Sequence, residues 1–202
     1  MAKKVQKINF VDLESTCWEN GILPDGRNQR DVMEMIEIGI VQLDTRSLEI
    51  EKKESYLIIP TEMGLSGITD YCTKLTGITQ QMIIKDGLAL DYALARMMTE
   101  FKTTKYEWMS WGDFDRQQVE RECERKGLQY PFKHTHSNFK YWFSLLTNQN
   151  VQRNVDNALQ VLGLEFEGSP HRGMDDAYNV ARMYAFIMKE VKLLYGESKF
   201  YG

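Results

Sequence analysis

The 202-residue chain is 43% hydrophobic and 27% charged, the balance of an ordinary globular fold. Its net charge of −4, from 25 basic and 29 acidic residues, argues against holding duplex nucleic acid through a strongly basic bulk field. No apolar run approaches the ~20 residues that cross a bilayer, and the basic start has no apolar stretch behind it, so the expectation is a cytoplasmic protein with no membrane partner.

Three cysteines, Cys17, Cys72 and Cys123, are odd in number and form no Cys-x-x-Cys pair, as expected of reduced thiols. No repeat, low-complexity stretch or Pro/Gly/Ser-rich linker interrupts the chain, which reads as a single domain over 1–202.

Strands come first. Gln6 to Leu13 (QKINFVDL) alternates and ends in an acidic signal, and Met33 to Asp44 is rich in β-branched and apolar residues. Gly21, Pro24, Asp25 and Gly26 supply turn chemistry between them, and Ser55 to Ile59 is a third short run. From Leu88 to Phe101, residues Leu88, Leu94, Ala95, Met98 and Phe101 keep helical spacing. A strand over Glu107 to Trp111 runs into a polar helix that should stop at Gly127. Val151, Val155, Ala158, Leu159 and Leu162 mark a further helix closed by Gly163. The last helix places Ala177, Ala181, Tyr184, Ala185 and Met188 on one face. Strands followed by alternating helix and strand predict an α/β domain with a mixed sheet and helices on its faces.

Three element ends carry acids. In Phe10-Val11-Asp12-Leu13-Glu14, side chains two apart on a strand share a face, so Asp12 and Glu14 can address one point. In Trp111-Gly112-Asp113-Phe114-Asp115 a strand leaves through a turn into a helix; Asp113 and Asp115 both fit a functional or a capping role. In His171-Arg172-Gly173-Met174-Asp175-Asp176 an imidazole precedes two acids at a loop-to-helix junction, where acids also suit the helix dipole. Each feature alone has an ordinary explanation; together they are the parts of a phosphodiester-hydrolysing centre. Carboxylate oxygens suit Mg²⁺ or Mn²⁺, two such ions can stabilise the attacking and leaving oxygens, and a neutral imidazole can take the proton from water.

His134-Thr135-His136 has no Cys or carboxylate cluster beside it to complete a zinc site. With Lys133 and Lys140 it reads first as a solvated loop and second as a surface for substrate phosphates. Trp108, Trp111, Trp142 and Phe143 read as core rather than base-stacking platforms.

These motifs resemble the DEDDh exonuclease superfamily: Asp12-Leu13-Glu14 matches its first motif, Phe114-Asp115 its second, and His171 with Asp176 its third. The stretches FVDLESTCWENG, EMIEIGIVQLD, CTKLTGITQ, SWGDFD and GSPHRGMDDAYNVARM are similar to the branch of histone-mRNA 3′-end and RNA-interference-limiting exonucleases. The resemblance implies an RNase H-like fold, with Asp12, Glu14, Asp115 and Asp176 binding two divalent cations, Mg²⁺ or Mn²⁺, and His171 as general base. It selects Asp115 over Asp113 and Asp176 over Asp175. It also implies release of nucleoside 5′-monophosphates from the 3′ end of a single-stranded nucleic acid, RNA by the branch. Ser15 and Thr16 would lie beside the terminal ribose, with Leu75, Ile78 and Phe114 walling its base. Two competing expectations are a DNA-directed 3′ exonuclease and a catalytically silent nuclease fold serving as a binding or regulatory protein. No protein partner is implied.

Overall fold

The computed structural model describes residues 6–149 and 153–195. Five strands, β1 (Lys7–Ser15), β2 (Met35–Asp44), β3 (Ile50–Leu57), β4 (Glu107–Ser110) and β5 (His136–Asn138), form one mixed sheet in the order β3-β2-β1-β4-β5. β1, β2 and β3 pair antiparallel, while β4 joins β1 and β5 joins β4 in parallel. The helices are α1 (Asp70–Thr76), α2 (Gln80–Asp86), α3 (Leu90–Glu100), α4 (Phe114–Lys126), α5 (Phe139–Thr147), α6 (Val155–Val161) and α7 (Gly173–Tyr195). This is the RNase H-like α/β architecture.

Alternation along β1 decides where the chemistry goes. Ile8 and Phe10 face a core shared with α5, α6 and α7, whereas Val11 and Leu13 face the opposite core with α3 and α4. Asp12 and Glu14 continue the α7-side row, so the strand's apolar row turns acidic where it emerges beside the start of α7. On β2, Gly39 lies opposite Asp12 and Glu37 opposite Glu14. A Cβ on Gly39 would stand 1.9 Å from the Gly173 carbonyl carbon, and one on Gly173 would stand 2.9 Å from the Asp12 carbonyl oxygen. Two glycines therefore let the first turn of α7 rest directly on the strands that carry the acids.

Several sequence expectations need correction. β3 starts at Ile50, earlier than Ser55, because its first half is an exposed Glu-Lys-Lys-Glu run. Charge of that kind suits an edge strand and hides its periodicity. α3 buries Leu90, Ala93, Leu94 and Met97, while Ala95 is exposed and Leu88 precedes the helix in a bridge to Ile58. The short helices α1 and α2, and β5 with α5, were not anticipated. Thr69 and Thr79 cap α1 and α2 through their hydroxyls, a signal present in the sequence. α6 begins at Val155 behind an Asn154 cap, and Val151 lies outside the described residues.

Other expectations hold. Gly127, in the left-handed region, ends α4, and the three cysteines are free and buried. Trp108 and Phe143 are fully buried, but Trp142 is 54% exposed, since Phe139 and Phe143 already supply the inward face of α5. Nor is His136 part of a solvated loop. Its ring packs against Trp108 (4.4 Å between centroids) and bonds to Ser110 Oγ at 2.8 Å, and burial lowers its pKa. His134 is exposed and stacks on Tyr130.

Candidate active site

Asp12 and Glu14 from β1 and Asp176 from the first turn of α7 each bring a carboxylate oxygen within 4.8 Å of the others. Asp115 approaches from the side of β4. The β1–β4 ladder ends at Phe10 and Met109, and beyond it the Leu13 N–H donates to Asp115 Oδ1 at 3.0 Å. Asp115 is thus seated by the backbone between Asp12 and Glu14, and is only 4% exposed.

The two ties left by spacing have different geometry. Asp113 is the exposed N-cap of α4, and its carboxylate faces Arg116, His136 and Asn138. Asp175 points back at its own loop and accepts the Ser169 N–H at 2.9 Å. Neither reaches the cluster.

Gathering carboxylates without cations is costly, and the protonation equilibria record it. Asp12 is pushed well above the usual carboxylate range by burial, then by Asp115, Asp176 and Glu14. Burial, then Asp176 and Glu37, raise Glu14 to about 9. Burial lifts Asp115 to about 7 against the pull of the Leu13 N–H, and Asp176 to about 6 against the backbone N–H and charge of His171. Among the described residues no lysine or arginine forms an ion pair with any of the four. Asp176 Oδ2 is buried with no hydrogen-bond partner. An orphaned carboxylate oxygen inside a cluster of hard oxygen donors fits a divalent cation.

His171 is exposed on the loop before α7, with φ +61°, a left-handed conformation uncommon for a residue with a side chain. Ser15 is buried and its Oγ has no partner, and Thr16 Oγ1 accepts the Glu34 N–H. Leu75 and Phe114 are each 39% exposed. Ile78 shows no surface; it packs with Cys17, Ile36, Ile68, Cys72 and Ile83, so here it supports the wall rather than forming it.

Glu37 belongs to the site's surroundings although no motif spacing marks it. It is a fully buried acid on the α7 side of β2, bonded to Ser55, Arg172 and the Gly173 N–H. Its signal was a charge inside the apolar run Met33 to Asp44, at a position that alternation turns toward the acids.

Residues 10–184 match the family model RNase_T, described as Exonuclease. The chain is 30% identical to the 3′-5′ exonuclease Snipper of Drosophila melanogaster, covering 89% of this chain and 68% of that protein. It is 28% identical to ERI1 exoribonuclease 2 of Xenopus laevis over 86% of this chain, but it spans only 27% of that relative's length. Among solved structures it superposes on the nuclease domain of 3′hExo, a DEDDh family member bound to rAMP. The TM-score is 0.80 at 27% identity, covering 92% of this chain and 93% of that one.

Proposed function

The chain belongs to the RNase_T exonuclease family, and from that premise we propose that it is a metal-dependent 3′→5′ exoribonuclease whose centre is the Asp12, Glu14, Asp115 and Asp176 cluster. The observation that carries this reading is the cluster itself: three carboxylates within 4.8 Å, a buried fourth behind them, no lysine or arginine ion-paired to any of the four among the described residues, and one orphaned oxygen. Preference for RNA is supported by the exoribonuclease relative and by the rAMP-bound neighbour.

The four acids would hold two divalent cations, Mg²⁺ or Mn²⁺, which supply Lewis-acid stabilisation to the attacking and leaving oxygens of an in-line displacement. The remaining work belongs to the chain's own residues. His171, in its unprotonated form, takes a proton from water as the water oxygen attacks the last phosphodiester. As the new P–O bond forms, the P–O3′ bond breaks and the leaving O3′ takes up a proton from solvent, freeing a nucleoside 5′-monophosphate and leaving a new 3′-hydroxyl upstream. Leu75 and Phe114 offer apolar surface to the terminal base, with Ile78 packed beneath. The unpartnered Ser15 hydroxyl suits the terminal sugar, whereas Thr16, which shows no surface and holds the Glu34 N–H, supports the turn beneath it.

Single-stranded RNA and DNA of one sequence, each labelled at the 5′ end, test this reading with Mg²⁺ present. The expected result is a ladder shortening from the 3′ end, faster on RNA, with 5′-monophosphates as product. Cuts in a circular single strand would refute an exonuclease, and faster loss of the DNA ladder would reverse the substrate.

A further inference from the structure

Beside the cluster stands a charge pair that the chemistry above does not use. Glu37 is buried among β-strands, yet its carboxylate accepts four hydrogen bonds: Ser55 Oγ at 2.6 Å, Arg172 Nε at 3.2 Å, Arg172 Nη2 at 3.0 Å and the Gly173 N–H at 2.9 Å. The two arginine contacts go to different carboxylate oxygens, so the pair is a fork on a fork, which fixes direction as well as distance. A buried carboxylate held this fully is an anchor in the sheet, and what it anchors is the residue after His171.

The loop needs such an anchor. Upstream, the Asp175 carboxylate holds the Ser169 N–H. Downstream, Arg172 and Gly173 are tied to Glu37 on β2, and the Arg172 carbonyl accepts the Asp176 N–H. His171 lies between these fastenings, exposed, in the left-handed region, and with no side-chain hydrogen bond among the described residues. Its imidazole is therefore placed by its backbone alone. Neighbouring charge agrees with the geometry: the Arg172 guanidinium has its pKa raised first by Glu37 and further by Asp175 and Glu14.

Building on the reading in which His171 is the base, we propose that Glu37 and Arg172 are positioning residues that clamp the backbone next to His171 and so set where its imidazole meets the carboxylate cluster. They touch neither substrate nor reacting atoms. Their effect passes through His171, and a misplacement of about 1 Å is enough to cost roughly 10²-fold in rate.

The test is a kinetic cycle on single-stranded RNA at saturating Mg²⁺, with melting followed in parallel. Arg172→Ala would strand a buried carboxylate and risk misfolding, so the variants are Arg172→Lys and the pair Glu37→Gln with Arg172→Gln, each made with His171 and with His171→Ala. With His171 present, the pair variant should lower kcat roughly 10–100-fold, with KM and the Mg²⁺-induced rise in melting temperature kept. Arg172→Lys should fall between it and the parent. With His171→Ala, the pair variant should lower kcat by no more than about twofold, because the group it positions is gone. The same fold loss in both backgrounds, or no loss with His171 present, would overturn the proposal while leaving the base assignment intact. Near-normal turnover by His171→Ala alone would instead overturn the base assignment, and this proposal with it.

Discussion

Asp115 and Asp113 are two residues apart, and their surroundings give them opposite importance. Asp115 is buried, bonded to the Leu13 N–H and adjacent to Asp12, whereas Asp113 is exposed against Arg116 and Asn138. Asp115→Ala should remove nearly all turnover, while Asp113→Ala should stay within about a few-fold of wild type in the same RNA assay. The reverse order would mean the wrong acid has been assigned. His171→Ala should lose roughly 10²–10⁴-fold in kcat, the range for a positioned general base, while nucleotide binding measured by calorimetry persists. At this scale the site was legible where spacing on one strand forces neighbours together, as for Asp12 and Glu14. It was not legible where the choice depends on a distant backbone group: nothing near Asp115 in sequence announces the Leu13 N–H, and nothing near Glu37 announces Arg172.

Elements matter here through one close approach. α7 begins against β2 because neither Gly39 nor Gly173 carries a side chain. Gly39→Ala would place a methyl group inside the backbone of α7, which must then lift off the sheet. Overpacking typically costs about 1–3 kcal/mol, and backbone that cannot rotate away sets this case at or above the upper end. Urea unfolding should show that loss, and activity should fall further than stability because Asp176 moves away from Asp12. A neutral Gly39→Ala would show that the approach is looser than described. β1 and α7 were legible because apolar alternation and helical periodicity run through them, and β2 because it is rich in β-branched and apolar residues and buried on both faces. β3 was half hidden by an edge strand's exposed charges, and α1, α2 and β5 are too short to develop a period of their own; for α1 and α2 only the threonine caps gave a sign.

For the whole molecule, the cluster is a stability cost that divalent cations relieve. Glu14, Asp115 and Asp176, at about 9, 7 and 6, sit above the ordinary carboxylate range near 4. Between about pH 4 and those values the unfolded chain releases protons that the folded state retains. Stability in chelator should therefore decline as pH rises from about 4 to about 9, and level off above that once Glu14, the last of the three, has ionised. Glu14→Gln should flatten that decline and raise the melting temperature in chelator; an unchanged profile would mean that the carboxylates are not mutually strained. Added Mg²⁺ should stabilise the wild-type protein and do less for Glu14→Gln.

If the cluster is a divalent-metal centre that drives removal of nucleotides from a 3′ end, shortening must depend on added metal. Metal-stripped protein, offered 5′-labelled single-stranded RNA while Mg²⁺ or Mn²⁺ is titrated in, tests it most directly. The expected result is no shortening in EDTA, a 3′-to-5′ ladder that appears as the metal is added, and no ladder at any metal concentration with Asp12→Asn. Undiminished shortening by the stripped wild-type protein in EDTA, or a full ladder from Asp12→Asn, would contradict it.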